Sequence, residues 1–196
     1  MAAFGLVALV ACSSDDKKAA EPSNTDAGPQ ADTGTQVDAA PAPFELKSEQ
    51  IKEGESFPEA HTCTGDNTSP AFSWGPGPAG TLSYAIVLKD RTISFLHSSI
   101  YDIPATTLSL PANLEAKYAP SEPAGAHQTK GYDNATFGYI GPCPPTGEHV
   151  YEFTLYALDV ASLSELTQTS TLKVAEATIK KHSLGTSVLS GKYKQP

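Results

Sequence analysis

A histidine and a tyrosine that lie two residues apart, His149 and Tyr151, follow a loop with an unusual composition. The loop, Gly138 to Gly147, holds three glycines and three prolines in ten residues. Neither a helix nor a central strand accommodates that composition, so the segment must be a shaped loop. An imidazole and a phenol both form directional hydrogen bonds, and beside a rigid loop they would make a binding site. A structural turn with a buried histidine explains the same pattern almost as well.

The element that must position these two side chains is a strand. From Val150 to Asp159 the side chains alternate in character, and alternation rich in aromatic and β-branched residues is typical of a strand. One face is more uniformly apolar, and we expect it to pack on the core: Tyr151, Phe153, Leu155 and Ala157. His149 and Tyr151 would then lie on the same face at the N-terminal end of this strand.

The chain from Phe44 to Pro196 predicts a single, mainly β domain, because about 150 residues suffice for one sizeable core. Short strand-like segments between proline and glycine turns are typical of a sandwich or barrel. The candidates are residues 44–46, 71–74, 83–89, 97–103 and 150–159. A short helix is predicted over Leu172 to His182, where Leu172, Ala175 and Ile179 recur at helical spacing.

The start of the chain resembles an export signal. The apolar run Ala2 to Ala11 is about half the length of a membrane-spanning helix and fits the core of a signal peptide. It ends in Leu-Val-Ala-Cys, which resembles the lipobox of bacterial lipoproteins, and this implies cleavage before Cys12 and acylation of its thiol. Ser13 at the next position favours the outer membrane or periplasmic face. A frayed apolar terminus is the alternative interpretation.

Three regions follow from this reading: a signal peptide with its acylated cysteine at 1–12, a tether at 13–43 and the β domain at 44–196. The tether is acidic and rich in Ala, Pro and Asp, so we expect it to be disordered. The net charge of the chain is −9, and no basic patch is visible. Nucleic acid is therefore excluded as a partner, and membrane attachment would come from acylation rather than charge.

The cysteines are few, namely Cys12, Cys63 and Cys143. If Cys12 is acylated, one pair remains in an oxidising compartment, and this favours a disulfide between Cys63 and Cys143. A metal site built from those two cysteines with His61 and His149 is the alternative. Structural zinc sites usually present closely spaced cysteine pairs, whereas each cysteine here stands alone. We therefore predict neither a metal nor a cofactor.

Five stretches of the domain, taken in order, resemble the phosphatidylethanolamine-binding protein family in its bacterial Raf-kinase-inhibitor-like branch. Each stretch alone is a weak signal, but all five in one order are specific. They are residues 61–74 (HTCTGDNTSPAFSW), the strand leading to Asp90, residues 96–104 (LHSSIYDIP), residues 138–153 (GYIGPCPPTGEHVYEF) and residues 182–193 (HSLGTSVLSGKY). The resemblance implies a Greek-key β-sandwich with a small anion pocket at one end.

The resemblance also implies which residues form the pocket. The ligand would be phosphate or a phospholipid head group, with backbone N–H groups of the loop, chiefly at Cys143, acting as donors. Prolines on either side of Cys143 would hold the loop in its binding shape. The paired cysteines of exported family members support the disulfide. The implied ligand-binding set is Asp90, His97, Gly141, Pro142, Cys143, Pro144, His149 and Tyr151.

The rim of this pocket departs from the family pattern. Family members usually carry Asp-Pro-Asp at the end of the pocket strand, where this chain has Asp90-Arg91-Thr92, and a His-Trp pair where it has His97-Ser98. The loop between these two positions is short. Arg91 is expected to add a positive group where the family has a carboxylate. We expect an anion site to persist, but the size and identity of its ligand cannot be carried over.

These observations lead to a prediction of a binding protein rather than an enzyme. No Gly-x-Ser-x-Gly motif or other nucleophile paired with a base is present. The first hypothesis is a tethered lipoprotein that binds a small anionic ligand without catalysis. The alternative is an inhibitor or regulator of a partner kinase or peptidase that acts through protein–protein contact, because the family includes such inhibitors.

Overall fold

The computed structural model describes residues 42–196, so the predicted signal peptide and most of the predicted tether lie outside the described residues. Among the described residues, no helical segment has the length and hydrophobicity that crossing a bilayer requires. A short 3-10 turn spans Glu59–His61 and a helix, α1, spans Leu172–Lys181. The strands are β1 (Phe72–Ser73), β2 (Ser83–Asp90), β3 (Phe95–Pro104), β4 (Ser109–Leu110), β5 (His127–Gln128), β6 (His149–Leu158) and β7 (Ser183–Tyr193).

Two antiparallel sheets make up the fold. The main sheet has five strands in the order β5-β3-β2-β6-β7, and β1 pairs with β4 to form the smaller sheet. The central strand β2 pairs on one side with β3, its neighbour in sequence, and on the other side with β6. The fold is therefore the predicted mainly β sandwich, with one helix near the C-terminus.

The main sheet buries both of its faces. The predicted core face of β6, which includes Tyr151 and Phe153, packs with Phe72 and Trp74 of the smaller sheet and its flank. On the opposite face, Tyr156 and Leu158 join a second cluster under α1. The predicted face is therefore confirmed, and the far half of β6 is apolar on both sides because two layers cover it.

Helix α1 forms where the sequence predicts it. The hydroxyl oxygen of Thr171 accepts a hydrogen bond from the Val174 N–H at 3.4 Å, which satisfies one of the free donors at the helix start. Ala175 and Ile179 are buried against the sheet. The helix thus supplies the layer that the second face of the sheet requires.

Strand β7 was not predicted, although it is the longest strand of the described residues. It pairs with β6 along its whole length, from Ser183 beside Leu158 to Tyr193 beside His149. The segment 53–57 covers part of its outer edge, where the Phe57 N–H donates to the Lys192 carbonyl at 2.8 Å. Pairing therefore holds the edge strand in place, while few of its own side chains are buried.

Candidate functional site

The sequence-predicted residues converge at one end of the main sheet, where β2 ends, β3 begins and β6 begins. Asp90, the last residue of β2, lies opposite Tyr151 in the strand register. A cavity of about 150 Å³ opens beside this pair. Its lining comprises Asp90, Ile93, Phe95, His97, Tyr132, Cys143 and Pro145.

Asp90 organises this end of the sheet through both of its carboxylate oxygens. Oδ2 lies 2.6 Å from Nδ1 of His149, and both side chains are buried. Oδ1 accepts hydrogen bonds from the N–H groups of Thr92 at 2.9 Å and Ile93 at 3.3 Å. Because three protein groups already donate to the carboxylate, Asp90 positions both the turn that follows β2 and the His149 ring.

His97 is buried, and its ring packs edge-on against two tyrosine rings. Nδ1 lies 3.1 Å from the carbonyl oxygens of Ile140 and Gly141, which can only accept, so Nδ1 carries the proton. The ring centroid lies 4.9 Å from that of Tyr132 and 5.2 Å from that of Tyr151. Burial lowers the pKa of His97, although the two carbonyls and Asp90 partly offset this. The neutral ring therefore keeps Nε2 as an acceptor, and His97 is one of the residues that line the cavity.

The hydroxyl of Tyr151 is buried and makes no hydrogen bond of normal geometry to any described residue. Burial raises its pKa, and the nearby Asp90 carboxylate acts in the same direction, whereas the Cys143 N–H acts against them. These two groups are thus close enough to affect the phenol without meeting hydrogen-bond geometry. The phenol stays protonated at neutral pH, and its O–H remains available to donate a hydrogen bond.

The loop 141–145 offers one backbone donor to the cavity. The Gly141 N–H donates to Oδ1 of Asn67 at 2.8 Å, and positions 142, 144 and 145 are prolines without an N–H. Cys143 is left as the single residue of this loop with a free N–H among the described contacts. Of the backbone N–H groups predicted to act as donors in this loop, the Cys143 N–H is therefore the one that remains available.

The loop is fixed to the segment before β1. Cys63 and Cys143 form the predicted disulfide, with Cα atoms 5.4 Å apart, and the Cys63 N–H donates to the Pro142 carbonyl at 3.1 Å. In the disulfide neither sulfur is a thiolate, the form that binds a metal ion. Within residues 42–196 no group of three or more His, Cys, Asp or Glu side chains is arranged to hold a metal ion.

Arg91 does not supply the positive group expected at the rim. Its side chain is about half exposed, and Nε lies 3.6 Å from Oε2 of Glu152. Glu152 alternates with Tyr151 along β6 and therefore points to the opposite face of the sheet. The expectation for Arg91 was wrong because strand alternation directs it away from the cavity.

The predicted site residues divide into three groups. Asp90, His97 and Cys143 line the cavity, while His149 and Tyr151 each contact one of these lining residues, Asp90 and His97 respectively. Gly141, Pro142 and Pro144 shape the loop without lining the cavity. Sequence reasoning missed four lining residues: Ile93, Phe95, Tyr132 and Pro145. The sequence indicated Pro145 indirectly, because it is a neighbour of the predicted loop residues. It did not indicate Tyr132, which comes from a separate loop that no residue spacing marks.

The chain is similar to proteins of one family. A family model described as phosphatidylethanolamine-binding protein matches residues 47–194. Among relatives, a UPF0098 protein of Aquifex aeolicus is 38% identical over 64% of this chain and 74% of its own length. UPF0098 protein YbcL of Escherichia coli is 34% identical over 61% and 71%. LppC of Mycobacterium tuberculosis, a candidate lipoprotein by name, is 33% identical over 68% and 65%.

The comparison with solved structures indicates the same family. The crystal structure of Escherichia coli YbcL, described as a member of the mammalian PEBP family, aligns with a TM-score of 0.72 at 30% identity. The alignment covers 79% of this chain and all of YbcL, so the matched region corresponds to a complete folded protein. A Chlamydia trachomatis homologue, CT736, aligns with a TM-score of 0.66 at 23% identity over 79% of this chain and 99% of its own, which supports the fold alone.

Proposed function

Since this chain belongs to the phosphatidylethanolamine-binding protein family, we propose that its cavity binds a small anion, either phosphate or the head group of a phospholipid. The observation that carries the proposal is the Tyr151 hydroxyl, a buried donor without a partner among the described residues. Leaving such a group unpaired is costly, and Tyr151 packs against His97 of the cavity lining, so a ligand in the cavity could accept its hydrogen bond. The Cys143 N–H next to it would provide a second donor to the same oxygen or its neighbour.

The two histidines complete the proposed site. His149 donates through Nδ1 to Asp90, and this orients its Nε2. His97 accepts through Nε2 when neutral, so it suits a protonated phosphate oxygen or an ammonium group. A ligand that is fully anionic would favour protonation of His97 on binding.

We propose that the site binds its ligand without catalysis. The lining contains no serine, threonine or free thiol, because the sulfur of Cys143 belongs to the disulfide. Both imidazoles are held by protein groups through Nδ1, so each Nε2 can take a proton, but the lining offers no serine, threonine or free-thiol nucleophile for it to activate. The donors and acceptor that remain are those of a binding pocket.

Thermal-shift titration tests this proposal. The Ser13–Pro196 chain, which lacks the signal and Cys12, is titrated with phosphate, phosphoethanolamine and acetate. A ligand that binds only the folded state raises the melting temperature. We expect phosphoethanolamine to do so, and we expect Tyr151→Phe to weaken its affinity roughly tenfold or more, as for a lost hydrogen bond to a charged group.

Tyr101→Phe is the matched control for this experiment. The Tyr101 hydroxyl is likewise buried without a hydrogen bond, but it lies in the cluster under α1, away from the cavity. The Tyr101→Phe variant should bind phosphoethanolamine as the parent does. Equal affinities for both variants and the parent would show that the Tyr151 hydroxyl is not the ligand donor, and the proposal would fail.

We further propose that the protein is an exported lipoprotein attached to the membrane through acylated Cys12. The Leu-Val-Ala-Cys stretch supports this, and so does similarity to LppC. Metabolic labelling with a radioactive fatty acid tests it: the label should be present on the parent chain and absent after Cys12→Ala. Location at the outer membrane or periplasmic face, and regulation of a partner kinase or peptidase, stay predictions.

A further inference from the structure

A second cleft, distinct from the cavity, lies between the start of β3, the loop 131–134 and the first two turns of α1. Its volume is about 480 Å³, which is within the range of sites for small molecules. Phe95 and Tyr132 line both the cleft and the cavity, and their ring centroids lie 5.5 Å apart. These two rings therefore form the wall between the two sites.

Both sides of the cleft rest on well-anchored structure. On one side, Phe95 directly follows the turn 91–94, which the Asp90 carboxylate caps by accepting two of its N–H groups. On the other side, α1 is held on the sheet by the buried Ala175 and Ile179. A ligand would therefore find the cleft largely preformed, with a small ordering cost on binding.

Large apolar side chains make up much of the lining. Phe95 is 43% exposed, whereas Leu96 and Leu172 are half-buried. Leu96 also packs on the core cluster under α1, so its position is fixed. Covering these side chains and the Tyr132 ring with an aromatic or aliphatic group removes apolar surface from water, which is favourable.

A lysine that shares its partner lies in the same cleft. Lys89 alternates with Leu88 along β2 and therefore projects toward α1, with 18% of its side chain exposed. Its Nζ lies 3.5 Å from Oε1 of Glu176, but the same oxygen lies only 2.6 Å from Nζ of Lys180. One carboxylate thus serves two ammonium groups.

The charges around the cleft leave an excess of positive charge. Burial acts to raise the pKa of Glu176, but Lys180 and Lys89 together hold that pKa below its ordinary value, so the group is a carboxylate at neutral pH. Lys173 lines the cleft as well. In a chain whose net charge is −9, this local excess favours an anionic group beside Lys89.

We propose that this cleft binds a small carboxylic acid with an aromatic or aliphatic body. The carboxylate lies beside Lys89, and the body covers Phe95, Leu96 and Leu172. The positive excess is small and the apolar lining is large, which favours such a monoanion over inorganic phosphate. The site is separate from the cavity, so this inference does not depend on the proposed function.

An NMR-detected titration of the Ser13–Pro196 chain tests the inference. The probes are phenylpropionate and octanoate, and the matched uncharged ligand is phenylpropionamide, which has the same ring and linker. We expect phenylpropionate to bind roughly tenfold more tightly than the amide, as for a hydrogen bond to a charged group. Binding by neither acid would overturn the inference.

Lys89→Met separates the contribution of charge from that of shape, because methionine keeps an unbranched side chain without the ammonium. This variant should bind the acid no more tightly than the amide. Lys47→Met is the matched control, since Lys47 also pairs with a glutamate, Glu45 at 2.9 Å, but lies beside β1 of the smaller sheet. A preference for the acid that persists in folded Lys89→Met would contradict the assignment.

Leu172→Ala tests the apolar part of the cleft. We expect the acid and the amide to lose affinity equally, by roughly threefold, because both use the same apolar body. Val174→Ala is the control on the same helix, since Val174 is 49% exposed and does not line the cleft. Parent-like affinity in Leu172→Ala would show that the body binds elsewhere.

Tyr151→Phe distinguishes the cleft from the cavity. Binding of phenylpropionate should be unchanged in this variant and in the presence of saturating phosphate. If Tyr151→Phe weakens binding while Lys89→Met does not, the carboxylate enters the cavity and the inference fails, although the proposed function would stand.

Discussion

Nδ1 of His149 lies 2.6 Å from Oδ2 of Asp90, and the second oxygen of the same carboxylate caps the turn that carries Ile93. One buried carboxylate therefore fixes both the His149 imidazole and the turn between β2 and β3. Two features with different chemistry share one support, so a change at Asp90 should affect both.

Asp90→Asn is expected to lower the free energy of unfolding by about 1–3 kcal/mol and to weaken phosphoethanolamine binding. An amide has one acceptor and one donor end, whereas Asp90 accepts at both oxygens. The NH₂ group of the new side chain would therefore either oppose the turn N–H groups or require the other tautomer of His149. Urea denaturation measures the first effect and ligand titration the second.

Asp102→Asn is the matched control for Asp90→Asn. Asp102 is also a buried strand carboxylate that accepts at both oxygens, from His127 and from the Leu163 N–H, but it does not line the cavity. We expect a similar loss of stability with unchanged ligand affinity. Equal loss of affinity in both variants would assign the effect to general destabilisation.

Replacing both cysteines, Cys63→Ser with Cys143→Ser, is expected to destabilise the protein on the order of 4 kcal/mol. The disulfide closes a loop of 80 residues, and opening it frees the unfolded chain. Ligand affinity should also fall because the Cys143 N–H loses its support. The measurement is urea unfolding together with ligand titration. Parent-like affinity in a folded double variant would show that the prolines alone hold the loop.

Gly141→Ala should cost about 3 kcal/mol and disturb the cavity. A Cβ at this position would lie 2.2 Å from the His61 carbonyl oxygen, so backbone must move. Gly147→Ala, in the same loop, meets no atom within 4 Å and only strains a positive φ, for about 1 kcal/mol. Urea unfolding compares the two variants. A smaller cost for Gly141→Ala than for Gly147→Ala would contradict the close approach.

Acid is expected to destabilise the free protein through His97. Burial holds the pKa of His97 below its ordinary value of 6.5, so below that pH the unfolded chain binds a proton that the folded chain does not. Stability should fall as the pH drops below 6.5 and level off below the folded pKa. Saturating phosphate should reduce this fall because an anion favours the charged ring.

His97→Gln tests the assignment of this pH dependence. Melting temperatures are measured between about pH 7 and about pH 5, with and without phosphate. The His97→Gln variant should lose part of the acid dependence and most of the extra protection by phosphate at low pH. An unchanged profile would place the titrating group elsewhere.

Sequence patterns were sufficient to locate a strand or helix where one periodicity dominated the segment. Alternation located β6 and its core face, and helical spacing located α1. Strand β7 was missed because small and polar residues fill it and Gly185 and Gly191 interrupt its pattern. Its stability comes from pairing with β6, a contact that sequence does not display.

The polar residues of the candidate site could be predicted from the sequence, whereas the aromatic residues that line it could not. The resemblance to the family, rather than residue type alone, indicated Asp90, His97 and Cys143, and the structure brings them to one cavity. Tyr132 and Phe95 are aromatic residues that sequence alone cannot distinguish from core, since only the packing of separate loops brings them to the rim. Assignment of these residues to a ligand stays a prediction for the experiments above.

The pairing of β2 with β6 has a consequence for how the protein reaches its native state. Asp90 and Tyr151 are register partners although about 60 residues separate them, so the sheet cannot assemble until a long loop has closed. Chains dominated by such non-local pairing fold slowly, over milliseconds to seconds. For a protein that is exported as proposed, the main sheet could therefore form on the far side of the membrane only after both β2 and β6 had crossed it.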